Sequence, residues 1–568
     1  MEERISVKFG GQSGQGINLL GQLISRALKE SNYHIFGYRE YPSIIKGGFA
    51  SYQIDFGSSE ILSPEKKCDI LACIAQEALE EYLFTVSSNG VIFHSVKDFE
   101  FSKKAKEYIN KNSIKVIYID LRKMAQEQKA PAIMENMIML GSIWKVLGQD
   151  INTLNDSVVR YFSKKKGIDI EAEKRCLNAG YFLEEIKDDE IKDVPKSIDK
   201  NWEKSLILTG NQAVALGAIS AGCRAYYAYP MTPSTPILEL LGDTYMKTGI
   251  LVKQAESEIT AVQMVLGSMY MGARAFTATS GGGFDLMTES ISMSAMTEIP
   301  LVIVLGQRAG ASTGLPTWTG ASDIDVAVHS GHGEFPRCVL AANDPIESYE
   351  LIQEAFNIAE VYQLPVILLT EKHVAESMFN ILNLPKAKKI KRGLSQNGTK
   401  RYLATKSGIS PRWLPMPGRK TYLTNSDEHN EYGVSSESDI DTKIMTEKRM
   451  RKVETLSKTI PAPKYFGDKD PTIVFVGMGS VKNAVLDAMK ISRRRIGYLH
   501  YKYIYPLKYE KILQFAKDGV KIVLIENNFN NGFGRLIKEE SDFYITNTLK
   551  KYNGRPFFVD DILEYLKQ

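Results

Sequence analysis

The chain has 568 residues, of which 43% are apolar and 24% charged, with a formal net charge of +4. A chain of this length has room for three or four domains. Its composition is that of a globular protein, and its near-balanced charge gives no case for nucleic-acid binding by bulk charge. The five cysteines are scattered with no CxxC pair, which argues against a disulfide framework and against a zinc or iron–sulfur site built by this chain alone.

The longest apolar runs, such as Ile299-Pro300-Leu301-Val302-Ile303-Val304-Leu305, are too short to span a bilayer. The acidic, then strand-like N-terminus does not read as a signal peptide. A reducing, cytoplasmic location is expected.

Residues 5–9 read as a strand that runs into Gly10-Gly11-Gln12-Ser13-Gly14-Gln15-Gly16, and residues 17–28 as a helix. Strands are expected at 50–56, 70–74, 91–94 and 115–119, and helices at 130–147 and 170–186. Residues 1–186 therefore make a first α/β domain. A glycine turn at a helix N-terminus suits an anion. The spacing from Gly11 through Gly14 to Gly16 is Gly-x-x-Gly-x-Gly, not Gly-x-Gly-x-x-Gly, and no acidic residue follows in a ribose position. NAD binding is therefore disfavoured. Ile45-Lys46-Gly47-Gly48 sets a lysine beside flexible backbone, or is simply a hairpin turn. Residues 187–204, charged and containing proline, read as a linker.

In residues 205–383, helical patterns at 213–221, 237–248, 259–271, 286–297 and 346–362 alternate with strand-like runs at 224–228, 252–254, 274–277, 301–305 and 366–369. This alternation means parallel βαβ units. The first strand leaves through Tyr229-Pro230-Met231-Thr232-Pro233-Ser234-Thr235-Pro236. Its prolines cannot continue a ladder. The stretch reads either as a helix entry capped by Ser234 or Thr235, or as a ligand loop at a strand's carboxyl end. Glu256-Ser257-Glu258 opens the next helix, where carboxylates complement the dipole. The following strand ends in Thr279-Ser280-Gly281-Gly282-Gly283, whose glycines permit close backbone approach. The next ends in Gly306-Gln307-Arg308, and a guanidinium is a natural fork for a carboxylate. In Gly331-His332-Gly333-Glu334-Phe335-Pro336-Arg337, His332 reads as a base or as a structural turn residue. Thr232, Glu258, Ser280 and Arg308 thus stand at successive strand ends, a convergence that points to one ligand site.

Between residues 385 and 420 there are eleven Lys or Arg and no Asp or Glu. Residues 384–468 are expected to form an extended arm or lid closed by a helix at 439–456. The arm either reaches an acidic partner or anionic ligand or is a solvated connector. Residues 469–568 read as a third, small α/β domain, with strands at 472–476, 496–501 and 521–525 and helices at 481–492 and 509–517.

Tyr229-Pro-Met-Thr-Pro-Ser-Thr-Pro236, Glu256-Ser-Glu258, Thr277-Ala-Thr-Ser-Gly281, Gly306-Gln-Arg308 and Gly331-His-Gly-Glu-Phe-Pro-Arg337 together resemble the α chain of 2-oxoacid:ferredoxin oxidoreductases. Gly11-Gln-Ser-Gly-Gln-Gly16 and Tyr41-Pro-Ser-Ile-Ile-Lys-Gly-Gly48 resemble the family's γ domain, here fused in front. Gly408-Ile-Ser-Pro-Arg412 and Asp427-Glu-His-Asn-Glu-Tyr-Gly433 resemble its arm. Lys551-Tyr-Asn-Gly-Arg-Pro-Phe557 resembles a transketolase-type C-terminal domain.

The resemblance implies three α/β domains: γ-type, thiamine-diphosphate pyrimidine-side and transketolase C-terminal-like. It implies CoA-dependent oxidative decarboxylation of a 2-oxoacid to an acyl-CoA, with electrons passed to ferredoxin. Glu258 would bond the aminopyrimidine ring, matching the family better than Glu256. Arg308 would bind the substrate carboxylate, with Thr232 and Thr317 on the 2-oxoacid. Tyr229, Pro230, Ser280 and Gly281 would line the cofactor, and Gly14, Gly16 and Lys46 are candidates for CoA or an interface.

No Gly-Asp-Gly followed some thirty residues later by Asn-Asn is present. The implied partner is a β chain holding the diphosphate, Mg²⁺ and a [4Fe–4S] cluster, in an αβ or (αβ)₂ assembly. The chain itself is expected to hold no metal. Against the family pattern, Met231 replaces Ile, Gly282 replaces Pro, and Glu526-Asn527-Asn528 lacks a following glutamine. The rival reading is a non-catalytic CoA- or nucleotide-binding protein.

Overall fold

A computed structural model describes residues 4–43, 48–163, 165–187, 190–194, 201–396, 398–416 and 420–568. The chain forms two compact units. The first takes in the chain up to Leu208 together with Ser377–Asn383 and Phe558–Gln568; the second takes in Thr209–Glu376 and Leu384–Phe557.

The first unit is built on an eight-stranded sheet in the order Lys115–Tyr118, Val86–His94, Cys68–Cys73, Arg4–Gln12, Phe49–Gly57, His34–Glu40, Met378–Ile381, Leu206–Leu208. The first four strands are parallel and the rest pair antiparallel. Val7, Phe9, Ile54, Phe56 and Ile70 are fully buried under the helices Ile17–Glu30 and Glu135–Val146, in one apolar cluster with Leu23, Ile138 and Trp144. The helix Ile17–Glu30 is preceded by Gly16 at φ 81°, and Gly14 stands at φ 93°, conformations that favour glycine. Asn136 Nδ2 donates to Gln15 O at 2.7 Å and holds this turn. Lys46 lies outside the described residues.

The second unit contains two sheets. Its seven-stranded sheet runs Tyr503–Tyr505, Cys338–Ala341, Pro365–Glu371, Leu301–Gln307, Ala275–Thr279, Ala225–Ala228, Leu251–Gln254. All are parallel except Tyr503–Tyr505. Its five-stranded sheet runs Lys464–Gly467, Ile496–Tyr501, Ile473–Met478, Lys521–Glu526, Asn547–Lys550, with only the first strand antiparallel. One apolar cluster joins both sheets, with Leu301, Ile303 and Leu369 from one and Val474, Val476 and Leu524 from the other.

Several segments depart from the sequence boundaries. Met378–Ile381 and Leu206–Leu208, expected in the second domain, are strands of the first sheet. Asn380 locks this pairing: Ile35 N donates to its Oδ1 at 3.0 Å, and its Nδ2 donates to Tyr33 O at 3.1 Å. The glycine run after Ser280 does not continue as a loop. It opens the short helix Gly281–Asp285, ahead of Thr288–Thr297.

The basic arm packs inward at Arg401 and Arg412, while Lys386, Lys389, Lys391, Lys406 and Lys420 are exposed. Tyr402 and Trp413 are buried. Arg392 and Arg412 join Arg274 on the buried carboxylate of Glu360, at 2.8, 3.3 and 2.6 Å. Lys448 and Lys452, from the helix Asp439–Ser457, both pair with buried Glu298.

Candidate functional site

Chain order and sheet order differ in the seven-stranded sheet, and the difference makes a cleft. From Ala225–Ala228 the chain moves outward to Leu251–Gln254, then crosses back to Ala275–Thr279 and on to Leu301–Gln307. Ala225–Ala228 and Ala275–Thr279 are neighbours whose connections leave in opposite directions. Such a switch point opens a crevice at the carboxyl ends of the strands. Thr232 and Ser280 follow the two flanking strands, Arg308 follows the next, and Glu258 begins the helix after the outermost.

The proline loop is fastened to its neighbours through main-chain groups. Asn211 Nδ2 donates to Pro233 O at 2.7 Å, and Ser234 Oγ donates to Thr279 O at 2.9 Å. Arg308 Nη1 donates to Thr232 O at 3.0 Å. Gly306 permits the approach, since an added Cβ there would meet Ser234 Oγ at 2.6 Å and Pro233 Cγ at 3.1 Å. Tyr229 is exposed, and Pro230 and Thr232 are half-buried.

Arg308 is buried and its Nε has no hydrogen-bond partner among the described residues. Burial pulls its pKa down, and the Asp323 carboxylate pushes it back up. The guanidinium is thus only partly satisfied within the chain, which suits it to an incoming carboxylate.

Glu258 opens the helix Glu258–Tyr270, whose N-cap Ser257 accepts from Thr260 N. The Glu258 side chain is 4% exposed, and its Oε1 has no partner among the described residues. It lies against the Gly281–Asp285 helix, where a Cβ on Gly283 would come within 2.5 Å of that oxygen and clash with Thr279 Oγ1. Ser280 Oγ and Thr277 Oγ1 are also buried and unpartnered among the described residues. Buried polar atoms are nearly always paired, so a group of them at a switch point makes this crevice the candidate site.

Thr317 is buried in the loop after Arg308. That loop is braced at several points. Ala309 N donates to Trp318 O at 3.2 Å, Thr319 N donates to Gly554 O at 3.2 Å, and the Arg555 guanidinium lies 3.5 Å from the Trp318 ring centroid. His332 is exposed on a turn of positive-φ glycines, Gly331 and Gly333.

Sequence reasoning missed two carboxylates here. Glu371, at the end of Pro365–Glu371, accepts from Thr319 Oγ1 at 3.2 Å and from Ser480 N at 2.6 Å. Burial raises its pKa, against those hydrogen bonds. It ties the Arg308 loop to the five-stranded sheet. The polar run Thr370-Glu371-Lys372-His373 after an apolar strand was the available signal. The second is Asp323, half-buried, whose backbone N donates to Gln307 Oε1 at 3.0 Å.

Comparison with known families and structures agrees with this architecture. Residues 6–183 match the family model described as pyruvate ferredoxin/flavodoxin oxidoreductase. Residues 216–449 match the one described as pyruvate flavodoxin/ferredoxin oxidoreductase, thiamine diphosphate-binding. The chain is 32% identical to the 2-oxoacid:ferredoxin oxidoreductase subunit alpha of a Sulfolobus species, over 99% of this chain and 96% of the relative. The chain belongs to the 2-oxoacid:ferredoxin oxidoreductase alpha-subunit family. This alpha chain is also 31% identical to the 2-oxoglutarate synthase subunit KorA of Methanothermobacter marburgensis, over 63% of the chain and 96% of that protein. Its fold matches that of the 2-oxoglutarate:ferredoxin oxidoreductase of Magnetococcus marinus, solved with 2-oxoglutarate, coenzyme A and succinyl-CoA bound. The TM-score is 0.90 at 27% identity, over 100% of this chain and 99% of that one. Two family models thus match successive portions of one polypeptide.

Proposed function

We propose that this alpha chain, with a β partner, catalyses the CoA-dependent oxidative decarboxylation of a 2-oxoacid and passes the electrons to ferredoxin. The observation that carries the site assignment is Glu258, a buried carboxylate with an unpartnered oxygen at a switch point.

Thiamine diphosphate, when bound, supplies the carbanion chemistry that breaks the bond beside the keto group. The residues present fit its pyrimidine side. Glu258 is a buried acceptor that needs a donor, and Gly283 leaves its carboxylate room. Ser280 and Gly281, with Tyr229 and Pro230 across the crevice, would line the ring. Glu258 would hold a proton with the pyrimidine nitrogen, an acid–base role. Arg308 would fix the substrate carboxylate, and Thr232 and Thr317 would orient the 2-oxoacid by hydrogen bonds. Holding the acid in this geometry lowers the entropic part of the barrier.

The diphosphate, Mg²⁺ and [4Fe–4S] cluster are assigned to the partner. All five cysteines here are buried and unpaired, and among the described residues no group of three His, Cys, Asp or Glu is placed to hold a metal ion. The turn at Gly14 and Gly16 is put forward as a CoA-facing element. Among the described residues no helix is long and apolar enough to cross a membrane, and a cytoplasmic location is proposed.

Co-expression with a β chain is expected to give 2-oxoacid- and CoA-dependent reduction of a viologen dye. Glu258→Gln should lower the rate by about 10²-fold or more, the usual scale for a lost acid–base group. Unchanged activity in a folded Glu258→Gln complex would overturn the assignment.

A further inference from the structure

Asp323 directly precedes the helix Ile324–His329 but its side chain makes no capping bond to it. The carboxylate is turned toward the crevice instead. A Cβ built on Gly281 would lie 3.6 Å from Asp323 Oδ2. The main chain of Asp323 is pinned to the strand that carries Arg308, through Gln307 Oε1. On its own side it meets the Ser322 hydroxyl, at 3.4 Å from Oδ1. Two charged groups act on it from other elements, Asp285 from the Gly281–Asp285 helix and Arg308.

We infer that Asp323 is a second carboxylate of the Arg308 site, and that it takes up a proton from solvent when a 2-oxoacid carboxylate docks on the guanidinium. The inference rests on the proposed role of Arg308 as the carboxylate fork. Without substrate, Arg308 and Asp323 act on each other electrostatically across the cleft. A docked substrate carboxylate on the guanidinium sets a second negative charge near Asp323, besides that of Asp285. Like charges that share such a site cannot all stay ionised, and one keeps a proton. A 2-oxoacid is a stronger acid than an aspartate because of its adjacent carbonyl, so the new O–H bond forms on Asp323. Burial, opposed by the Ser322 hydroxyl, raised further by Asp285 and opposed by Arg308, already brings the carboxyl up to about 6. A substrate anion moves it higher still.

The sign follows from linkage. Below pH 6 Asp323 is already protonated and binding takes up nothing. Above pH 6, binding takes up to one proton, and affinity falls as pH rises until the raised pKa of the complex is passed. Each unit of that rise weakens binding about tenfold at high pH. Asp323 is therefore a positioning residue that sets the pH dependence with which Arg308 takes up a carboxylate.

The test is calorimetric titration of the reconstituted complex with oxamate, an unreactive isostere of a 2-oxoacid, in two buffers of different ionisation enthalpy from pH 5.5 to 8.5. The expected result is net proton uptake above pH 6 in the wild type, retained in Asp323→Glu and absent in Asp323→Asn. The Asp323→Asn variant should also bind oxamate with no pH dependence over this range. No proton uptake by the wild type overturns the inference, whatever the variants do, and so does equal uptake by Asp323→Asn. Arg308→Ala separates the two levels. Loss of oxamate binding in that variant upholds the role of Arg308 and leaves the proton count to decide on Asp323. Binding as tight as in the wild type overturns both.

Discussion

Gly283 sets the position of the Glu258 carboxylate by what it lacks. Any Cβ there would come within 2.5 Å of Glu258 Oε1 and 2.2 Å of Thr279 Oγ1, so these side chains must move aside. Gly283→Ala is therefore expected to displace Glu258 and lower turnover by about 10²-fold, the scale of a displaced acid–base group. Gly282, one residue earlier, has nothing within 4 Å of its would-be Cβ. Gly282→Ala should leave turnover unchanged and stabilise the helix by about 0.5–1 kcal/mol. Steady-state rates of the two variants, with thermal melts alongside, check the pair; equal rates would refute the steric account. At this scale the strand-end residues were legible because parallel βαβ units bring every carboxyl end to one edge. Asp323 was not, because an aspartate just before a helix reads as a cap, and only the fold shows that this one caps nothing. Glu258 and Glu256 stand two residues apart in the sequence, yet only Glu258 is buried.

The arm is the element whose sequence misleads most. Eleven cations without a local acid look solvated or outward-reaching. Lys388 pairs with Glu354, and Arg392 and Arg412 with Glu360, on the distant helix Pro345–Tyr362. Such a pairing leaves no trace in local composition. Short strands were missed for a related reason: Leu206–Leu208, Met378–Ile381 and Tyr503–Tyr505 are too brief to show a period of two. Glu360 is the node of the arm. Replacing it by Gln leaves the guanidinium groups of Arg274, Arg392 and Arg412 short of a counter-charge in a buried site. Breaking a buried pair in this way costs about 3–5 kcal/mol. Glu360→Gln should lower the urea midpoint and speed tryptic cleavage after Arg392 and Arg412, the two arm residues held on Glu360 in the wild type. Unchanged cleavage kinetics would show that the arm is held by other contacts.

At the scale of the whole chain, the cores decide how many units unfold independently. The sequence divides into three α/β domains, but the apolar cluster that contains Leu301 and Ile303 also contains Val476 and Leu524, so the seven- and five-stranded sheets share one interior. The cluster around Phe9, Ile138 and Trp144 lies wholly within the first unit. Calorimetry should therefore resolve two transitions rather than three, and each can be assigned by a substitution confined to one unit. Glu360→Gln should lower only the transition of the second unit. Glu173, in the helix Ile170–Tyr181 of the first, is buried with Oε2 unpartnered among the described residues. Burial, with Asp169 adding, raises its carboxyl to about 7. A carboxyl raised in the folded state binds protons more tightly there than when unfolded, so folding loses stability as pH climbs from about 4.5 to 7 and is level above that. Glu173→Gln removes this loss, and at pH 8 it should raise the first unit's transition by on the order of 1–2 kcal/mol. At pH 4.5 it should change little. Glu65, also raised to about 7 by burial, leaves a residual slope in the variant. A single transition, or a Glu173→Gln shift that moves both, would mean that the two cores unfold as one.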